Sequence, residues 1–185
     1  MANNANNVSV AKPKVGGAIY RGDIGTELPT DATTALNSAF ASLGYVSEDG
    51  LTNANSFEST DIVSWDGVVV ETSEGSKTDT FTFKLIEALN PDVLKSVYGD
   101  SNVTGTLATG ITIKSNSTPQ ASKSWVVDMI MKNGVLKRVV VPNAKVTAVS
   151  DVVYKRDELV GYETTISAVP DEAGNTHYEY IVQPQ

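Results

Sequence analysis

The sequence predicts a mainly β protein, a β-sandwich or partly open barrel with one short flanking α-helix. Three observations predict it. Thr80-Phe81-Thr82-Phe83-Lys84-Leu85 alternates polar and apolar side chains, the period of a half-buried strand. Asn133-Gly134 lies between two β-patterned runs, and this dipeptide readily takes the positive φ values of a type I′ hairpin turn. The second half of the chain is β-patterned nearly throughout.

The elements follow in order. Residues 1–13 read as a flexible N-terminal arm, Asn-rich and with little to bury, and 14–185 as a single domain. Ala18-Ile19-Tyr20 reads as a short strand. Asp31 is placed to cap a short helix containing Leu36, Ala39 and Phe40 and ended by Gly44. Over 47–61 only Leu51, Ala54 and Phe57 are apolar, which predicts a long projecting hairpin or loop. A helix over 91–98 is well punctuated. Asn90 is its N-cap, Pro91 opens the first turn, Asp92 sits at the positive end and Gly99 stops it. Val93, Leu94, Val97 and Tyr98 form its apolar stripe, which must pack on a sheet because so short a helix does not hold by propensity.

A two-residue turn at Asn133-Gly134 would set Met131 opposite Leu136 and Val127 opposite Val140. One face then carries Trp125, Val127, Met129, Met131, Leu136 and Val140, with Arg138 out of place. Asp128 falls diagonal to Lys137 on a watery face. A second hairpin is expected over 144–169 with its turn near Arg156-Asp157-Glu158. Another turn is expected over 171–175, and a last strand over 176–182. Such an open architecture leaves strand edges that something must cover or pair.

Composition bounds the function. The chain has 185 residues, 19.6 kDa, 14 Lys plus Arg against 22 Asp plus Glu, and a formal charge of −8. That length suits one domain with a single core. The negative balance argues against a whole-surface grip on nucleic acid. With no Cys, thiolate zinc sites, disulfides and cysteine nucleophiles are excluded; with His177 the sole histidine, so is any site needing two imidazoles from one chain. The start lacks the basic and apolar regions of a signal peptide, and no run approaches the roughly 18 apolar residues of a membrane helix. A soluble protein assembled in the cell interior, with no membrane partner, is the expectation.

No phosphate loop, nucleophile elbow or zinc-protease motif occurs. Glu48 and Asp49 would meet Glu58 and Asp61 around a cation only if the hairpin folded back on itself. His177 is expected as a surface or interface residue on the last strand. Arg21-Gly22-Asp23 and the two glycosylation sequons carry no meaning without a secretory route. The reading is therefore non-enzymatic, with no metal and no cofactor.

The charge is unevenly placed. Residues 22–76 hold ten acids (Asp23, Glu27, Asp31, Glu48, Asp49, Glu58, Asp61, Asp66, Glu71, Glu74) and no Lys or Arg, while the rest of the chain carries 14 basic against 12 acidic residues. A one-sign surface of this kind either meets a basic partner or repels a polyanion.

Leu43-Gly44-Tyr45-Val46-Ser47-Glu48-Asp49-Gly50-Leu51 resembles a segment of the major tail tube proteins of long-tailed, non-contractile bacteriophages (siphoviruses). Thr78-Asp79-Thr80-Phe81-Thr82-Phe83-Lys84-Leu85-Ile86-Glu87, then Asn90-Pro91-Asp92-Val93-Leu94 and Tyr98-Gly99, continue the likeness in the same order over about residues 15–105. The resemblance implies a β-sandwich with a flanking helix, a mobile arm and a long hairpin. It further implies stacked hexameric rings around a tape measure protein, bounded by tail terminator and tail-tip proteins. DNA would pass through without specific binding during ejection, in a virion tail assembled in the host cytoplasm. On that footing the assembly surfaces are the arm at Lys12, Pro13 and Lys14 and the hairpin at Glu48, Asp49, Leu51, Phe57, Glu58 and Asp61. Tyr45 and Trp65 either anchor its base or belong to the core. The competing reading is a small non-enzymatic β-sandwich for binding or adhesion, which a clustered aromatic platform would favour.

Overall fold

A computed structural model describes residues 3–14 and 17–184 of the chain. Residues 1 and 2 of the arm and 15, 16 and 185 of the domain lie outside these. The first five strands are β1 (Ala11–Pro13), β2 (Ile19–Asp23), β3 (Ala41–Ser42), β4 (Val46–Val63) and β5 (Val69–Leu85). Helix α1 (Pro91–Tyr98) follows. Then come β6 (Val103–Thr104), β7 (Thr112–Ile113), β8 (Lys123–Met131), β9 (Leu136–Val149), β10 (Tyr162–Ala168) and β11 (Tyr178–Val182). Apart from the small β6–β7 pair, one antiparallel sheet runs β3-β2-β8-β9-β10-β5-β4; β1 extends the β2 edge of β8, and β11 pairs with β9.

This sheet rolls. Phe83 on β5 and Trp125 on β8 lie three strands apart in the order, about 14 Å if the sheet were flat. Their ring centroids are 5.8 Å apart. The trough so formed holds Ile19, Phe81, Phe83, Leu85, Trp125, Val127, Val139, Val141 and Ile166. Helix α1 closes it with Val93, Leu94 and Val97, and burying those three side chains contributes roughly 5–9 kcal/mol, which is what holds an eight-residue helix. Asn90 caps the helix through Asp92 N–H (3.0 Å), and Gly99, at φ 95°, ends it as expected. The mainly-β class with one flanking helix is thus the observed one, in the form of a partly open barrel.

Two expectations are corrected. The loop after Met131 holds three residues, Lys132–Gly134, not two. Asn133 (φ 60°) and Gly134 (φ 77°) do take positive φ, but the additional residue moves the register by one. Ile130 therefore pairs with Leu136, Val127 with Val139 and Asp128 with Arg138. A one-residue slip exchanges the two faces of a strand. Trp125, Val127, Val139 and Val141 face the trough, while Val126 and Val140 face the other way under Phe40, Leu28 and Leu36. Burial on both faces explains the unbroken apolar runs 125–127 and 139–141.

The helix expected from Asp31 does not form. Asp31 caps a single turn, accepting from Thr33 N–H and Thr34 N–H (both 2.6 Å). The carbonyls of Asp31 and Thr34, which a helix would need for its own ladder, instead accept from Arg138 Nη1 at 3.0 and 2.8 Å. A buried guanidinium outcompetes a weak helix started by two β-branched threonines.

Candidate assembly surface

The segment read as a projecting hairpin or loop over 47–61 is one arm of a hairpin longer than that span, β4 with β5, paired from Val46↔Leu85 to Val63↔Val69. Residues 47–50 bulge out at its root, with Gly50 at φ 72°. Strand β10 flanks β5 only as far as Ser167↔Thr80. Past that point, among the described residues, the hairpin is a two-stranded ribbon, which by strand rise projects about 27 Å from Asn55 to Val63 on β4. Every residue of 69–78 is exposed.

Its tip is a tight turn. Ser64 N–H donates to Val68 O (2.8 Å), Gly67 N–H donates to Ser64 O (2.9 Å), and Gly67 takes φ 84°. The Ser64 hydroxyl donates to the Asp66 carboxylate, holding its pKa below the ordinary value. The turn aims Trp65 wholly into solvent at 105% relative exposure, beside exposed Ile62, Val63, Val68, Val69 and Val70. Trp65 is therefore at the tip rather than the base, and it is no part of the core. Tyr45 is at the base, but it is 75% exposed and its anchor there is its backbone. Tyr45 N–H donates to Glu87 Oε1 (3.0 Å), and Asn90 Nδ2 donates to Glu87 Oε2 (2.9 Å), so one carboxylate joins the hairpin root to the start of α1. Gly44 (φ 71°) admits that carboxylate: a Cβ there would lie 1.9 Å from Glu87 Cδ.

Seven of the ten acids, Glu48, Asp49, Glu58, Asp61, Asp66, Glu71 and Glu74, lie on the hairpin or its root. Among the described residues none of the seven forms an ion pair. Because the ribbon stays extended, Glu48 and Asp49 sit about 30 Å from Glu58 and Asp61, so the folded-back cation cluster does not arise. No group of three or more candidate metal ligands occurs among the described residues. Phe57 lies exposed along the ribbon with Lys77 Nζ 5.5 Å from its ring centroid.

The arm residues described, 3–13, are all exposed, yet part of them is held by backbone pairing. Ala11, Lys12 and Pro13 pair with Met131, Ile130 and Met129 at an edge, where proline's missing donor does no harm. Lys14 N–H donates to Asp128 O (3.2 Å), Lys14 Nζ lies 3.7 Å from Asp128 Oδ2, and Lys132 N–H donates to Ser9 Oγ (2.8 Å). A groove of about 270 Å³ separates β1 from the hairpin root. It brings Lys12 and Pro13 alongside Glu48, Asp49 and Leu51. The structure so gathers nine of the proposed contact residues into two places, this groove and the ribbon bearing Phe57, Glu58, Asp61 and Trp65, while Lys14 and Tyr45 line a separate neighbouring pocket of about 460 Å³.

One residue carried no signal in the sequence. Asp79 is 1% exposed at the point where the ribbon leaves the sheet. It accepts from Asn53 Nδ2 (2.7 Å), Thr176 Oγ1 (2.5 Å) and His177 Nδ1 (2.6 Å). Burial works to raise its pKa, but the three donors outweigh it and hold the carboxyl below its ordinary value. His177 is accordingly not a surface residue of the last strand. It precedes β11, and its ring is set edge-on to Phe81 with centroids 5.4 Å apart.

A mainly-β chain whose dominant surface feature is a long, acidic two-stranded ribbon with an exposed apolar tip has the surface of a structural protein that offers a contact site. The chain belongs to the phage tail tube protein family, whose profile, described as "Phage tail tube protein", matches residues 1–184. It is thus a structural, non-enzymatic component of the virion tail. Among solved structures it is similar to the anti-feeding prophage cap, the tube-terminating cap, determined by cryo-electron microscopy. The likeness has 13% identity and a TM-score of 0.45, over 98% of this chain and 100% of that one. No curated protein matches the chain.

Proposed function

We propose that this chain polymerises into stacked hexameric rings that form the tail tube of a siphovirus, the conduit for DNA ejection. The tube would enclose a tape measure protein, end on tail terminator and tail-tip proteins, and be assembled in the host cytoplasm. The observation that supports this best is the ribbon, which carries Trp65 and five neighbouring apolar side chains into solvent far from any cover within the chain. Six copies at −8 place about −48 charges on each ring, screened beyond roughly 8 Å at physiological salt. A wall of that sign keeps a polyanion from adhering. The arm over 1–13 and the contact residues Lys12, Pro13, Lys14, Tyr45, Glu48, Asp49, Leu51, Phe57, Glu58, Asp61 and Trp65 serve the joints between subunits, and 14–185 is the body of each.

Negative-stain microscopy of the concentrated protein, beside phage particles, tests the assembly. Tubes of tail-like diameter are expected, and a chain that stays solitary at every concentration overturns the reading. A tube reconstruction with all ten acids of 22–76 on the outer wall would remove the electrostatic part alone.

A further inference from the structure

We propose that Asp79 and His177 form a clasp that fixes the direction in which the β4–β5 ribbon leaves the sheet, with His177 as its positioning residue. The ribbon needs such a device. Two-stranded ribbons are marginal on their own, and β10 stops flanking β5 at Thr80, the residue next to Asp79. From Asp79 outward nothing but β4 pairs with β5 among the described residues.

The clasp joins three stretches of chain at that exit. Asn53 belongs to β4, two positions from Asn55, which stands opposite Asp79 in the ladder. Its amide donates both to Asp79 Oδ1 (2.7 Å) and to Thr80 O (3.1 Å), tying the two strands to each other. Thr176 and His177 come from nearly a hundred residues away, and both donate to Asp79 Oδ2. A carboxylate only accepts, so Nδ1 of His177 carries the proton.

The far side of the clasp is itself rigid. Asp171 Oδ1 accepts from Ala173 N–H and Asn175 N–H (both 2.9 Å), and Asp171 Oδ2 accepts from the Tyr178 hydroxyl (2.6 Å). One residue after His177, Tyr178 enters the ladder opposite Val140 on β9, a strand buried on both faces. The ribbon root is thereby referred to the centre of the sheet through a contact that bypasses β10. Swinging the ribbon would draw a buried carboxylate off two donors that cannot follow it, a cost that a mere ladder of exposed backbone bonds would not impose.

The clasp is a property of the single subunit; only its use in presenting Trp65 to a neighbour rests on the assembly proposed above. The chain lacks cysteine, so Asp66→Cys at the tip and Lys145→Cys on β9 give two unique spin-label sites in the full-length protein. Pulsed electron resonance on dilute protein should give one narrow distance distribution. His177→Ala should broaden it and lower hydrogen-exchange protection at residues 53–55 and 77–79 on the order of tenfold, the worth of about one charge-assisted hydrogen bond. His177→Asn, whose amide nitrogen can stand where Nδ1 stood, should restore both readouts. If His177→Ala is poorly folded, Thr176→Val removes one donor with little change of shape and should broaden the distribution in the same way. A distribution as narrow in these variants as in the parent overturns the clasp, whether or not tubes form. A broadened distribution in subunits that still build normal tubes upholds the clasp and tells instead against the ribbon's role in assembly.

Discussion

Arg138 and Asp128 stand directly opposite each other on β9 and β8 and close a two-pronged ion pair, Nε to Oδ1 at 2.6 Å and Nη2 to Oδ2 at 2.9 Å. Both are nearly inaccessible, at 1% and 4% exposure. The second Nη of Arg138 serves the carbonyls of Asp31 and Thr34, so a single guanidinium both satisfies a carboxylate within the sheet and shapes the loop that covers Phe40. Arg138→Met should cost about 3–5 kcal/mol, because it strands a buried charge. Pairing it with Asp128→Leu should recover a good part of that loss. Chemical denaturation of the three proteins checks this; a single variant within about 1 kcal/mol of the parent would refute the buried pair's importance.

Deleting residues 1–13 should leave a folded subunit that does not polymerise. The described arm residues bury no side chain, so the melting temperature should move little, while β8 residues 129–131 lose their β1 partner and become a bare edge. Electron micrographs showing normal tubes from the truncated protein would count decisively against the arm's role.

Trp65→Ser should leave monomer stability within about 0.5 kcal/mol of the parent, since the side chain touches solvent alone, yet abolish or greatly weaken assembly. Thermal melting and sedimentation of the same sample separate the two effects. Unchanged tube yield would show that the tip meets no neighbour.

The pH profile should fall at both ends. Desolvation works to raise both carboxyls, strongly for buried Asp79 and less for the half-exposed Asp100, but the donors Thr176, Asn53 and His177 carry Asp79, and the cations Lys123 and Arg21 carry Asp100, below the ordinary 3.8. Their stabilisation is complete above that value and is lost as pH falls through the lowered ones, so acid unfolding should begin below about pH 4. At the other end, burial beside Tyr98 and Tyr154 pushes the Tyr162 phenol from 10.0 to about 12. The unfolded chain releases that proton first, so stability should decline as pH rises from 10 toward 12. Fluorescence-monitored denaturation across pH, with tyrosinate absorbance followed alongside, checks both limbs; equal stability at neutrality and at pH 11 would contradict the Tyr162 environment.

What the amino-acid order determined by itself was local. Asn90, Pro91 and Gly99 bound α1 because caps act within a few residues. The Phe81-Phe83-Leu85 alternation marked a buried strand face, and Asn133-Gly134 a reversal. The polar run after Val46 announced something projecting, and the lopsided acids marked the same segment. Tertiary structure decided what those cues leave open. It set a three-residue loop, and hence the register that turned Arg138 from a charge out of place on a core face into Asp128's partner. That guanidinium then took the carbonyls from which an Asp31 helix would have grown. Trp65 became a tip rather than an anchor, because nothing in a tryptophan's neighbours along the chain says how far its hairpin runs. The Asp79–His177 contact joins residues separated by 98 positions. Pairings at that range depend on which strands the rolled sheet brings together, and no local periodicity encodes them.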